Sequence, residues 1–438
     1  MPRDQRPTKD PARLARGRFQ RDVLWNLGSL AVLGASGIAL NALIGWIFGA
    51  GTLGVFNQVV AAYIFFSQAA VGGLDRSVLR AVAEAPEDRA RIARLVLGAL
   101  LPTLALSALA TALFWWARPH VAFLLESPGV AVGMAWAAPG LFFFAVNKVL
   151  LAATNGLRRM RAFAVLNALR YVLILAGLLV AIALDFDSNR LGFVFSFAEC
   201  ILFVPLALEV GLALGELRAD GLLAWSRTHL WFGLKSAFSG MLLELNARVD
   251  VLMAGYFLDD ARVGIYSFAA ILAEGVFQLL VVLQNNYNPL IARALAGGAA
   301  RAGAAREEFR AMVRRGRLTT YLMMLAACGL AVLGYPLYLL LVGDSPGFEQ
   351  SWRPFGVLMA GMWLASGYMP FAQTLLMGGR PFWHTLMMVG IVGINVYCNA
   401  LLIPLLGIVG AALGTAISLC SSAVLLRGMV DRHVGVPL

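Results

Sequence analysis

Eight charged side chains lie within long apolar stretches of this 438-residue chain. An ionised group among apolar side chains is costly, so such groups pair with one another or face a water-filled cavity. Their positions therefore indicate where a functional site lies. They are Lys148, Arg170, Glu199, Glu209, Glu244, Arg248, Asp250 and Glu274.

Some of these charges have a purely structural explanation. Glu244 and Arg248 are four residues apart with the acid first, a spacing at which they can neutralise each other within one helix. Lys148 and Glu209 lie near the ends of their apolar stretches, where a long side chain can extend to water. The deeper charges favour a functional role instead, and these are Arg170, Asp250 and Glu274.

The sequence contains no recognisable catalytic or metal-binding motif. Its four cysteines fall inside apolar runs and its four histidines are scattered, so neither disulfides nor a metal site are expected. It also lacks the glycine-rich phosphate-binding loop of ATP-hydrolysing proteins. We therefore expect a protein that is not an enzyme and has no catalytic residues, cofactor or metal.

The composition indicates a membrane protein. Hydrophobic residues make up 60% of the chain and charged residues 13%, whereas soluble domains contain about 25% charged residues. A membrane-spanning helix needs about 20 mostly apolar residues, and lipid leaves helix as the structure for such uninterrupted runs. Twelve stretches meet this requirement: 23–48, 54–74, 93–117, 130–154, 162–184, 191–214, 234–256, 263–290, 316–342, 354–377, 382–403 and 407–427.

Basic residues alternate between the two ends of these stretches. The N-terminal arm, every second connection and the C-terminal tail together hold 28 of the 35 Lys and Arg residues, whereas the intervening connections hold 4. Cytoplasmic loops carry the excess of Lys and Arg, so both termini are predicted to be cytoplasmic. The net charge of +11 is explained by these loops, and no nucleic-acid partner is expected.

The chain repeats itself with an offset of 210 residues. Leu53-Gly54-Val55-Phe56 falls on Val263-Gly264-Ile265-Tyr266, and Gly45-Trp46 falls on Gly255-Tyr256. The offset relates spans 1–6 to spans 7–12, and an even number of spans places both copies in the same direction. We predict an all-α integral membrane protein of 12 transmembrane helices in two six-helix bundles related by pseudo-twofold symmetry. Its parts are a basic arm (1–22), bundles at 23–214 and 234–427, a connector (215–233) and a tail (428–438).

Polar residues mark one face of two repeat-related spans. Two bundles around an axis favour an alternating-access transporter with its site at the bundle interface, and polar faces on equivalent spans are what a shared aqueous cavity requires. The predicted cavity-lining residues are Asn57, Gln68 and Asp75 in the first half and Ser267, Gln278 and Asn285 in the second.

Several of these segments resemble the polysaccharide exporters of the O-antigen flippase type, in the multidrug, oligosaccharidyl-lipid and polysaccharide exporter superfamily. The resemblance extends along nearly the whole chain. Its motifs are GWIFGAGTLGVF at 45–56, GLDRSVLR at 73–80, NGLR at 155–158, ARVDVLMAGY at 247–256, GIY at 264–266 and GIVGAALG at 407–414.

This resemblance implies a V-shaped pair of bundles in the bacterial inner membrane. The implied substrate is an undecaprenyl-diphosphate-linked oligosaccharide, moved from the cytoplasmic to the periplasmic leaflet. On this hypothesis Arg248, Arg170 and Lys148 attract the diphosphate. The acids expected to bind a coupling H⁺ or Na⁺ are Asp250, Glu274, Glu199 and Glu244.

Two other classes of function stay open at this stage. A proton- or sodium-coupled small-molecule antiporter of the same superfamily also has twelve spans. A membrane enzyme or assembly scaffold of glycan biosynthesis would need catalytic residues that the short external loops do not show. The expected partners are the lipid-linked glycan, membrane lipids and other polysaccharide-assembly proteins.

Overall fold

A computed structural model describes residues 11–84, 87–214, 221–295, 303–343, 345–436 and 438. All regular elements in these residues are helical, so the predicted all-α fold is confirmed. The first ten residues of the predicted basic arm and residues 215–220 of the connector lie outside the described residues. So do Arg218 and Arg301, two of the basic residues on which the predicted topology rests.

The described residues form thirteen α-helices joined by short connections. Three of these connections contain 3₁₀ turns: Ser188–Arg190 in the first, Leu340–Val342 and Phe348–Ser351 in the second, and Met369–Phe371 in the third. The helices are α1 (Pro11–Val71), α2 (Leu74–Ala83), α3 (Arg89–Leu124), α4 (Pro128–Gly156), α5 (Met160–Ala183), α6 (Phe193–Leu214), α7 (Leu222–Phe257), α8 (Asp260–Leu295), α9 (Gly303–Leu339), α10 (Trp352–Ser366), α11 (Thr374–Met377), α12 (Pro381–Leu406) and α13 (Ile408–Val434).

Nine helices of the described residues are long and apolar enough to cross a membrane. A tenth span is added if the bent pair Phe348–Ser366 and Met369–Met377, which turns by 57°, is one crossing. Two predicted spans fall together in α1, and the predicted span 234–256 lies within α7, which carries Glu244, Arg248 and Asp250. The count of twelve spans stays a prediction.

Helix α1 folds back on itself at Gly49. That residue has φ 82° and ψ 177°, outside the helical region and accessible mainly to glycine. The Asn57 side-chain amide donates to Oδ1 of Asn41 over 3.0 Å, whereas sixteen residues of straight helix would separate them by about 24 Å. The segments before and after Gly49 are therefore antiparallel, and we call them the first and second arms of α1.

The second arm of α1 crosses α8 at the pair Gly54 and Gly264. A Cβ built on Gly54 would lie 1.8 Å from the carbonyl oxygen of Asp260, and one on Gly264 would lie 1.9 Å from that of Ala50. Gly54 and Gly264 differ by 210 residues, and so do Ala50 and Asp260. Each half of the repeat thus makes the same contact with the other.

Polar contacts next to this crossing join the two halves of the chain. Asp260 accepts hydrogen bonds from the Gln58 amide over 2.7 Å and the Ser127 hydroxyl over 2.8 Å. The Ser345 hydroxyl donates to the carbonyl oxygen of Gly45 over 3.3 Å. These contacts lie at the end of the molecule that holds the α3–α4 and α7–α8 connections, which we call the short-loop face. The opposite end, with the α2–α3 and α4–α5 connections, is the basic face.

Helix α7 joins the two halves of the chain. The Ser226 hydroxyl donates to the carbonyl oxygen of Gly98 over 2.7 Å, and Nδ1 of His229 lies 2.8 Å from the Ser77 hydroxyl. Burial lowers the pKa of His229 to about 4, so the ring is neutral at physiological pH. The described part of the predicted connector is therefore the docked first part of α7, with no break at residue 233.

We predict that Gly54→Ala destabilises the closed crossing, because its methyl group would overlap the Asp260 carbonyl. Overpacking costs about 1–3 kcal/mol or more when backbone must move. Thermal unfolding in detergent should show a lower Tm for this variant. Gly51→Ala is the matched control, since no heavy atom lies within 4 Å of the added Cβ. Equal Tm values for the two variants would contradict the crossing.

Candidate substrate lumen between the two halves

A buried ion pair joins α5 and α6. Nε of Arg170 lies 2.7 Å from Oε1 of Glu199, and the Asn147 amide of α4 donates to Oε2 of Glu199 over 2.8 Å. The Arg170 and Glu199 side chains are 9% and 3% exposed. The guanidinium also lies 4.9 Å from the centre of the Phe144 ring. Two predicted site residues are thus brought together, enclosed within the first half.

A looser pair lies nearer the basic face. Nζ of Lys148 is 4.0 Å from Oδ2 of Asp75, beyond hydrogen-bonding distance. Lys148 also interacts electrostatically with Glu244, which belongs to α7 in the second half. Asp75 lies in α2, because the left-handed residues Gly72 and Gly73 end α1. The polar stripe predicted as one helical face is therefore interrupted before Asp75.

The third pair links α7 and α8. Nη2 of Arg248 lies 3.1 Å and 3.0 Å from the two carboxylate oxygens of Glu274. The Glu274 side chain is 44% exposed and that of Arg248 is 21% exposed. Nε of Arg248 is buried and has no hydrogen-bond partner among the described residues. The cation thus bonds to Glu274 on the neighbouring helix, whereas the sequence suggested Glu244 on its own helix.

Asp250 is a buried acid held by hydroxyl groups. It accepts hydrogen bonds from the Tyr266 hydroxyl over 2.5 Å and from the Thr415 hydroxyl over 3.4 Å. No Lys or Arg forms an ion pair with it in the described part of the chain. These hydrogen bonds join α7, α8 and α13. A change in the charge of Asp250 would therefore alter contacts among three helices.

The polar stripes are buried at the short-loop face and open toward the basic face. Asn57 and Ser267, which follow Gly54 and Gly264 by three residues, are 6% and 1% exposed. Further along the helices, Gln68 and Gln278 are half-buried and Asn285 is exposed. We call the space between the halves the lumen. It is closed at the short-loop face by the glycine crossing.

Tyr171 of α5 was missed by the sequence analysis. It interacts electrostatically with Arg170 and Glu199 in its own half, and with Glu274 and Glu244 in the other half. Tyr171 is therefore within electrostatic range of acids from both halves. Asn147 and Tyr266 were also missed, because a lone polar residue in an apolar run carries no signal of its partner. Both Asn41–Asn57 and Asp250–Tyr266 are hydrogen-bonded pairs 16 residues apart on adjacent helices. This spacing between polar residues could have indicated the pairs from the sequence.

A family model described as "Polysaccharide biosynthesis protein" matches residues 99–345, more than half of the chain. The chain belongs to this family. The predicted resemblance to polysaccharide exporters of the superfamily is thereby confirmed. A search of curated proteins gave no significant match.

The fold is that of solved transporters of the same superfamily. The chain is 11% identical to the lipid II flippase MurJ in an inward closed conformation, with a TM-score of 0.72 and coverage of 93% of this chain and 87% of that one. It is 14% identical to an inward-facing multidrug resistance MATE family transporter, with a TM-score of 0.69 and 94% of each chain covered. An outward-facing transporter of the MATE family gives 13% identity, a TM-score of 0.63 and coverage of 94% and 95%.

The Arg170–Glu199 pair is buried and the Arg248–Glu274 pair is partly exposed, so loss of the acid should affect stability differently in the two pairs. Glu199→Gln leaves the Arg170 charge buried without its carboxylate, which typically costs about 3–5 kcal/mol. Glu274→Gln removes a half-exposed partner, where the loss is about 1 kcal/mol or less. Thermal unfolding in detergent should therefore separate the two variants by many degrees.

The double variant Arg170→Met with Glu199→Leu is the control for this comparison. It removes both charges together, so it should recover much of the stability lost in Glu199→Gln. If Glu274→Gln were the more destabilised single variant, the division of the pairs into enclosed and lumen-facing would be wrong.

Proposed function

We propose that this protein is a flippase for an undecaprenyl-diphosphate-linked oligosaccharide. The observation that carries the proposal is membership of the polysaccharide biosynthesis protein family in a chain with a transporter fold. The lumen adds the chemistry, since Arg248 is a partly exposed cation in a space bounded by polar side chains. A diphosphate is an anion that arginine binds with charge-assisted hydrogen bonds.

The proposed orientation places the basic face in the cytoplasm. Basic loops favour that side of a bacterial inner membrane. In this orientation the short-loop face, where the glycine crossing closes the lumen, lies on the periplasmic side. Twelve spans in two six-helix bundles belong to this proposal. The glycan enters from the cytoplasm, its headgroup occupies the lumen, and its polyprenyl tail stays in lipid.

Asp250 is the preferred site for a coupling H⁺ or Na⁺. It is buried, its partners in the described residues are hydroxyl and backbone N–H groups, and it lies next to the glycine crossing through Tyr266. Glu199, by contrast, already has Arg170 as an ion-pair partner and accepts a hydrogen bond from the Asn147 amide.

Deletion of the gene in its source organism tests the function directly. We expect an undecaprenyl-diphosphate-linked oligosaccharide to accumulate on the cytoplasmic leaflet, measured by mass spectrometry of extracted lipid-linked sugars. Complementation with the wild-type gene should remove the accumulation. Unchanged lipid-linked sugars together with a new drug sensitivity would point to a small-molecule antiporter instead.

Arg248→Ala should lower glycan export at least about tenfold, because a charge-assisted hydrogen bond contributes about 1.5–3 kcal/mol. Export is measured as polymerised surface glycan at matched protein levels. Arg310→Ala is the control, since Arg310 forms an exposed ion pair with Glu307 outside the lumen. Normal export by Arg248→Ala would remove Arg248 from the proposed diphosphate site.

A further inference from the structure

The Glu274 carboxylate occupies the anion-binding group of Arg248. Both of its oxygens lie 3.0–3.1 Å from one guanidinium nitrogen, a charge-assisted contact of the kind that arginine also makes with phosphate. The contact joins two different helices, and the Glu274 side chain is 44% exposed. An anion from the lumen can therefore replace Glu274 without opening the protein core.

The other two pairs do not offer this exchange. Arg170 and Glu199 are enclosed, and the Asn147 amide holds the carboxylate in place. Lys148 and Asp75 are 4.0 Å apart, so their contact lacks a hydrogen bond to be replaced. Among the three pairs, only Arg248–Glu274 combines close contact with access from the lumen.

An alternating-access carrier needs a partner for Arg248 after the substrate leaves. The empty protein must return to its starting conformation, and this requires the lumen to close around the arginine. An unpaired charge in a low-dielectric interior costs several kcal/mol. The Glu274 carboxylate removes that cost because it neutralises Arg248 whenever no phosphate is present.

We propose that Glu274 is a built-in substitute for the substrate's diphosphate, which neutralises Arg248 and allows the empty carrier to return. This inference rests on the proposed flippase function and assigns Glu274 a role different from ion coupling.

The test uses full-length protein in liposomes with a fluorescent undecaprenyl-diphosphate-linked oligosaccharide, prepared from the deletion strain. An impermeant reductant reports how fast the labelled lipid changes leaflets. Each variant is measured with and without excess unlabelled substrate in the opposite leaflet. With that substrate the carrier returns loaded, so the empty return step is bypassed.

For Glu274→Gln we expect net flipping to fall at least tenfold without opposing substrate, and to recover to within about twofold of wild type with it. Glu307→Gln is the matched control, because it removes the acid of an exposed ion pair outside the lumen. Its rates should equal wild type in both conditions. Glu274→Asp, which keeps the charge, should retain part of the net flipping.

Binding of inorganic diphosphate gives a second readout that needs no transport. Without its internal competitor, Glu274→Gln should be stabilised by diphosphate more than wild type, seen as a larger rise in Tm. Equal loss of flipping in both transport conditions, or net flipping at the wild-type rate, would overturn the role of Glu274. If wild type itself neither flips the lipid nor responds to diphosphate, the proposed function fails instead.

Discussion

A charge within the membrane-spanning part of a protein is stable only when an opposite charge or several hydrogen bonds accompany it. In the lumen region this constraint accounts for the positions of all three intramembrane cations, each of which has a carboxylate on another helix. The pairs therefore also fix how the helices pack. The pairs differ in exposure. An enclosed pair such as Arg170–Glu199 holds helices together, whereas a partly exposed pair such as Arg248–Glu274 is open to exchange of its partner.

The 210-residue repeat gives the two halves the same helix arrangement, but different polar side chains join the helices in each half. In the first half the hairpin arms are joined by an amide contact between Asn41 and Asn57. The second half joins its corresponding helices through Asp250 and Tyr266 at the same spacing. The contact at this spacing is therefore between two amides in the first half, and between a carboxylate and a phenol hydroxyl in the second.

Much of the frame could be predicted from the sequence, because lipid imposes long apolar helices and the repeat places Gly54 opposite Gly264. The pairing of charges could not. Arg248 bonds to Glu274 across helices, and four-residue spacing within one helix says nothing about a closer neighbour outside it. The stripe that was predicted to reach Asp75 ends at two left-handed glycines. Helical periodicity assumes an unbroken helix, so it fails where backbone geometry changes.

In the proposed flippase, coupling an anionic substrate to inward proton flow imposes a further condition on the lumen. Protonation of any nearby acid makes the site less negative, and so favours diphosphate binding wherever the acid lies. Direct competition between proton and substrate is therefore excluded on electrostatic grounds. Antiport requires that protonation favour the other conformation of the carrier. The proposed coupling site at Asp250 is placed to meet this condition, because its partner Tyr266 follows Gly264 by two residues, and the crossing at Gly264 is the contact that must separate for the short-loop face to open.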